Sequence, residues 1–262
     1  MNQKHDYIAV FDSGVGGISV LRELRKMMPQ ERFLYFGDSA NAPYGTRTHE
    51  EVLRLTEAAV QRLLPRGLKA LVVACNTATA AAINELRALH PDLIIIGIEP
   101  AVKLAAARHP EGPIGVMATQ VTLREERFEE LLSRCGAPKV IRIPAPGLVE
   151  LVEQGKGNSA EAEDLLRPIL EPLKGSLPVL VLGCTHYPFA ARAISRILGP
   201  ETELLDGSEG TARETRRRLE AADLLSDAEG GVIIEDSLPQ ADILALAGRL
   251  LEEPAVSTPG VR

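Results

Sequence analysis

Short, continuously apolar runs alternate with amphipathic stretches along almost the whole chain. Residues 7–12, 33–37, 70–74, 93–98, 114–117, 140–144, 179–182, 203–205 and 231–235 read as strands. Most are apolar at successive positions rather than at every second one, the pattern of strands covered on both faces. Between them, residues 18–28, 50–64, 78–90, 123–135, 160–173, 189–198, 208–222 and 241–251 repeat apolar side chains at helical spacing. This alternation predicts right-handed crossovers and mostly parallel sheets. About nine strands are many for one sheet in a chain of this size, so two smaller sheets are expected.

Two of the strand patterns end alike. Leu71-Val72-Val73-Ala74-Cys75-Asn76-Thr77 and Leu180-Val181-Leu182-Gly183-Cys184-Thr185-His186 each stop at a cysteine followed by two polar residues. A thiol at the C-terminal end of a parallel strand stands where α/β folds place their ligands. Two such thiols from two similar halves would face one small molecule from opposite sides. They would then remove a proton from one face of a carbon and return one to the other. No Gly/Ser linker divides the chain. The expected domains are residues 1–98 plus 206–262, carrying Cys75, and residues 99–205, carrying Cys184.

Composition narrows the classes. At 262 residues, with 45% hydrophobic and 25% charged residues, the chain has room for one or two domains. A formal net charge of −7 argues against nucleic acid, which asks for a basic surface. A small anionic substrate stays admissible, because the local field of a cleft decides its binding. No apolar run approaches the roughly 18 residues that cross a bilayer, and the polar first residues lead straight into a strand. Three cysteines at unpaired spacings, with no leader, fit a reducing compartment, so a cytoplasmic protein is expected.

Polar segments beside the strand ends supply the candidate chemistry. Asp12-Ser13-Gly14-Val15-Gly16-Gly17 closes a strand and opens a helix, where glycines let backbone N–H groups approach an anion. It is neither Gly-x-Gly-x-x-Gly nor a P-loop, and a carboxylate suits it equally well. Its bland reading is a turn with an N-cap. Residues 37–47 are more polar than a connection requires, and Tyr44 and Gly45 offer amides to an anionic group. Cys75 precedes a helix whose positive end favours thiolate. Cys184 repeats that setting, with His186 in reach of the thiol or the substrate. A lone cysteine is usually inert packing, the reading given to Cys135. No Cys-x-x-Cys or His-Glu-x-x-His occurs, so no metal is expected. No lysine is marked for a pyridoxal Schiff base.

Together these segments resemble glutamate racemases, of the aspartate/glutamate racemase superfamily. Five ordered motifs carry the resemblance: Phe11 to Gly17, Gly37 to Gly45, Ala74-Cys75-Asn76-Thr77-Ala78, Gly97 to Lys103, and Gly183-Cys184-Thr185-His186-Tyr187-Pro188. They span most of the chain. The resemblance implies a cofactor-independent enzyme interconverting L- and D-glutamate, with D-glutamate destined for peptidoglycan. It implies two similar parallel-sheet α/β domains related by a pseudo-two-fold axis, with the active site in the cleft between them. Cys75 and Cys184 match the acid/base pair, Cys75 acting on D-glutamate and Cys184 on L-glutamate. Asp12 and His186 match supporting polar residues, and Glu153 a third, with Glu150 as the alternative register. Asp12-Ser13, Tyr44-Gly45, Asn76-Thr77 and Thr185-His186 match substrate-binding pairs, and Thr119 and Thr122 are expected to meet the substrate. A homodimer is expected, with no nucleic-acid or membrane partner.

The chain departs from the family near Gln120 and Glu125, where Gly and Ser are usual, and at Ala145-Pro146, where Cys-Pro is common. Its tail from Glu252 onward reads as frayed and, unlike the usual one, has no Trp. Three other readings stay open: an aspartate racemase of the same superfamily, a non-catalytic amino-acid-binding protein, and a cysteine hydrolase with one thiol and a histidine base.

Overall fold

The computed structural model describes residues 3–136, 139–238 and 240–253. In chain order the elements are β1 (Tyr7–Asp12), α1 (Ile18–Met27), β2 (Arg32–Gly37), α2 (His49–Leu63), β3 (Leu68–Val73), α3 (Asn76–Leu89), β4 (Ile94–Gly97) and α4 (Val102–Arg108). There follow β5 (Ile114–Ala118), α5 (Gln120–Arg124), α6 (Glu126–Cys135), β6 (Val140–Pro144), α7 (Leu148–Glu153), α8 (Ala160–Leu170), β7 (Val179–Leu182) and α9 (Ala191–Leu198). Last come β8 (Glu203–Asp206), α10 (Ser208–Ala221), β9 (Gly231–Asp236) and α11 (Ala241–Glu252).

Among the described residues the strands form two all-parallel sheets, β4-β3-β1-β2-β9 and β6-β5-β7-β8. Read from the other end, the second sheet runs β8-β7-β5-β6, the order of β4-β3-β1-β2 in the first. The halves therefore share one topology, with β9 added at an edge. In that correspondence β3 and β7 are equivalent strands, and each ends two residues before its cysteine.

Both faces of each sheet are covered, which is why the strands are apolar at successive positions. In β1, Ile8 and Val10 pack with Ile18, Leu21 and Leu24 of α1, and Ala9 and Phe11 pack on the opposite face with α2 and α3. The second sheet lies between α7, α8 and α9 on one side and α4 and α6 on the other. Val152 and Phe189 come from the second half yet sit in the first half's core, joining the two. Thr48 starts α2 with a capping box: its hydroxyl accepts from Glu51 N, and Glu51 Oε2 accepts from Thr48 N.

The structure differs from the pattern-based expectation at the shorter helices. The single helix expected over 123–135 is two, broken at Glu125, whose backbone is extended (φ −67°, ψ 141°). The break lets α5 set Thr122 against Thr77 while α6 buries Phe128 and Leu131. Helices α4 and α7 did not stand out because so few turns show no repeat. Of the tail, Glu252 still belongs to α11 and is held by Arg25 at 2.7 Å, while residues 254–262 lie outside the described residues. No helix among the described residues is long and apolar enough to cross a membrane.

Candidate active site

The ends of the two sheets meet at a cavity of about 160 Å³. Cys75 and Cys184 both line it, 4% and 7% exposed. Of the other residues singled out in the sequence, Ser13, Tyr44, Gly45, Asn76, Thr77, Thr119, Thr185 and His186 share its wall. Asp12, Glu153 and Thr122 are not on the wall. They stand one layer behind it and hold residues that are. Among the described residues no group of three or more His, Cys, Asp or Glu side chains could hold a metal ion.

Cys75 is the N-cap of α3. Its Sγ accepts from Ala78 N at 3.4 Å and lies 3.5 Å from Ser13 Oγ. That geometry was expected to favour a thiolate. Burial overrides it: desolvation, aided by the negative charge of Asp12, pushes the thiol up to about 12. Cys75 therefore keeps its proton at neutral pH. The amide oxygen of Asn76 beside it is buried and has no hydrogen-bond partner among the described residues.

On the other side His186 Nδ1 lies 3.8 Å from Cys184 Sγ, and Nε2 donates to Glu153 Oε1 at 2.6 Å. Burial pulls His186 towards neutrality. Its hydrogen bonds with Cys184 and Glu153 outweigh that pull, so the ring stays protonated well above the usual histidine range. The same Glu153 oxygen accepts from Val15 N at 2.8 Å, just before α1. The glycine-rich loop was read as a seat for an anion, and the anion it seats is the chain's own Glu153. A Cβ on Gly14 would fall 1.9 Å from Glu153 Oε1, and one on Gly16 2.3 Å from His186 Nδ1, so only glycine lets this pair approach. Glu150, the alternative register, is exposed at the cavity rim.

The sequence reading did not assign roles to Asp38 and Tyr187. Asp38 accepts from Tyr44 OH at 2.7 Å and from Asn41, bracing the loop that carries Gly45. Tyr187 lines the cavity and donates to Ala145 O at 3.3 Å. Both lie inside the quoted motifs, which was the available signal.

Asp12 accepts from Thr185 Oγ1 at 2.9 Å, across the two halves, and from Gly14 N of its own loop at 3.1 Å. It is 0% exposed, and burial pushes its carboxyl up to about 6 against the opposing charge of His186. Between about pH 4 and pH 6 the folded state thus binds more protons than the unfolded chain, and stability falls as pH rises. The shift of roughly two units corresponds to a cost on the order of 3 kcal/mol above pH 6. Asp12→Asn is expected to raise the urea midpoint at pH 8 and to lose that advantage at pH 4. A lower midpoint at pH 8 would show that ionised Asp12 stabilises the fold.

A duplicated parallel α/β fold with a thiol from each half facing one cavity defines a class, and the sequence matches the model of that class. Residues 18–215 match the Asp/Glu/Hydantoin racemase family, to which the chain belongs. A glutamate racemase from Clostridium perfringens is 44% identical over 253 residues, covering 95% of this chain and 97% of the relative. The crystal structure of glutamate racemase from Thermus thermophilus in complex with beta-chloro-D-alanine superposes with a TM-score of 0.80 at 37% identity, covering 95% and 94% of the two chains. Escherichia coli glutamate racemase in complex with L-glutamate and the activator UDP-MurNAc-Ala gives a TM-score of 0.83 at 29% identity, covering 94% and 95%.

Proposed function

We propose that this chain interconverts L- and D-glutamate without a cofactor, by proton transfer between Cα and the two thiols, and so supplies D-glutamate for peptidoglycan. The observation that carries this reading is the placement of Cys75 and Cys184 after equivalent strands, on the wall of one cavity. The relatives named above support glutamate as the substrate. The reading includes two domains, residues 1–98 with 206–262 and residues 99–205, each contributing one thiol, and a cytoplasmic homodimer.

In the reaction one sulfur, as thiolate, takes the Cα proton. The electron pair left on carbon takes up a proton from the other sulfur on the opposite face. Proton and charge simply change sides, so no oxidant or reductant is needed. The resting site is asymmetric. Cys75 holds its proton, and His186 Nδ1 lies 3.8 Å from Cys184 Sγ. With L-glutamate Cys184 is the base and Cys75 the acid, and with D-glutamate the roles exchange. The unpartnered Asn76 oxygen is available to the substrate ammonium, and the surrounding hydroxyls and amides to its carboxylates. These groups stabilise the developing carbanion by fixed hydrogen bonds.

Proton NMR in D₂O, on protein treated with EDTA and free of pyridoxal phosphate, tests the reading. Deuterium should enter Cα from either enantiomer, and circular dichroism should decay to zero from both sides. Absence of exchange with both enantiomers would leave a binding protein or a hydrolase. Exchange with aspartate alone would move the chain to the aspartate enzymes.

A further inference from the structure

We propose that His49 and Glu125 are positioning residues for this reaction, whose contact closes the outer end of the seam that parts to admit substrate. The inference rests on the racemase reading of the cavity. Cys75 and Cys184 are 4% and 7% exposed and His186 and Tyr44 are buried beside them, so separation of the two halves widens the way for an amino acid to the space between the sulfurs. The halves touch along two seams of different character.

One seam is apolar. Val152 and Phe189 of the second half are packed in the first half's core, and the Arg22 guanidinium lies over the Phe189 ring at 5.6 Å. Ser19 Oγ donates to Thr185 O at 3.0 Å beside them. Parting here exposes core side chains to water.

The other seam is polar. Thr77 Oγ1 lies 3.1 Å from Thr119 Oγ1 and 3.4 Å from Thr122 Oγ1. Gly45 meets the same threonine, for a Cβ there would fall 2.7 Å from Thr119 Cγ2. Outside these, His49 Nδ1 lies 3.3 Å from both Glu125 carboxylate oxygens. Hydroxyl and surface contacts of this kind exchange for water at small net cost, so this seam opens first.

The pair is placed to govern the opening. His49 begins α2, directly after the loop that carries Tyr44 and Gly45. Glu125 is the extended residue between α5 and α6, three residues beyond Thr122. Their contact therefore ties one cavity wall to the other.

The test is alkylation of Cys75 and Cys184 by iodoacetamide in the substrate-free full chain, resolved by peptide mass spectrometry. Glu125→Gln and His49→Gln should each speed alkylation about two- to fivefold, the scale of one partly exposed pair. The double variant should react no faster than either single one, and His49→Lys, which keeps a partner for Glu125, should react at the parental rate. Urea midpoints should not move, which separates opening from general loosening. Parental rates in Glu125→Gln and His49→Gln would overturn the proposal, as would acceleration by Arg22→Ala in their place. Alkylation needs no turnover. A parent chain that fails to racemise glutamate would therefore overturn the functional reading and leave the result on the seam standing.

Discussion

Cys75→Ser and Cys184→Ser are each expected to slow racemisation by about 10²–10⁴-fold in both directions, the effect of losing a general acid or base, while Cys135→Ser keeps the parental rate. Each sulfur must act as base in one direction and as acid in the other, so either replacement blocks both. A serine hydroxyl occupies nearly the same volume, and the variants should fold normally. Its proton is held far more tightly than that of a thiol, so it fails in either role. A half-reaction isolates the surviving thiol. Elimination of HCl from a 3-chloroglutamate needs one base to take the Cα proton while chloride leaves Cβ, so each variant should still process one suitable enantiomer. Cys135 ends α6, does not line the cavity, and packs beside the second sheet, where burial pushes its thiol up. Circular dichroism with L- and D-glutamate measures all three. Equal loss in Cys135→Ser would dismantle the assignment of the pair.

The second large effect is on stability. Lys69→Met is expected to cost about 3–5 kcal/mol, because it strands a carboxylate in the interior. The Lys69 and Glu31 side chains are 0% and 2% exposed, with Nζ 2.5 Å from Glu31 Oε2. Lys69 also donates to Lys4 O at 2.5 Å and to Leu224 O at 2.9 Å, and Glu31 Oε1 accepts from Ser226 N at 2.9 Å. The pair ties the start of β3 to the N-terminal segment and to the connection between α10 and β9. Removing both charges in Lys69→Met/Glu31→Leu leaves apolar side chains of similar volume and should recover about half of the loss or more. Urea midpoints of the two variants decide the matter. A single variant within about 1 kcal/mol of the parent would show that the carboxylate finds water or a proton without penalty. A double variant as unstable as the single one would shift the weight to the backbone contacts.

Much of the architecture could be read from local pattern. Each strand is a short apolar run bounded by polar residues, and β1, with five of its six residues buried, shows why alternation was absent. The break at Glu125 was not readable, since its neighbours keep a helical pattern and tertiary contacts of α5 and α6 impose the extended backbone. Helix α7 is too short to show a repeat in the sequence. Burial of Leu148 and Val152, one turn apart, makes it a helix.

The site divides in the same way. The sequence by itself determined that two thiols stand just past the ends of two similar parallel strands, because strand period and strand end are local properties of the chain. It could not determine what faces those thiols. Asp12 meets Thr185 across 173 positions, Val15 meets Glu153 across 138, and Glu153 meets His186 across 33. Nor could it determine that Cys75 holds its proton. The helix N-terminus, visible in sequence, favours the thiolate, but desolvation and the charge of Asp12 favour the thiol and prevail. Only the tertiary structure decided these points, because burial and charge–charge energies depend on distances between groups that the chain brings together only when it folds.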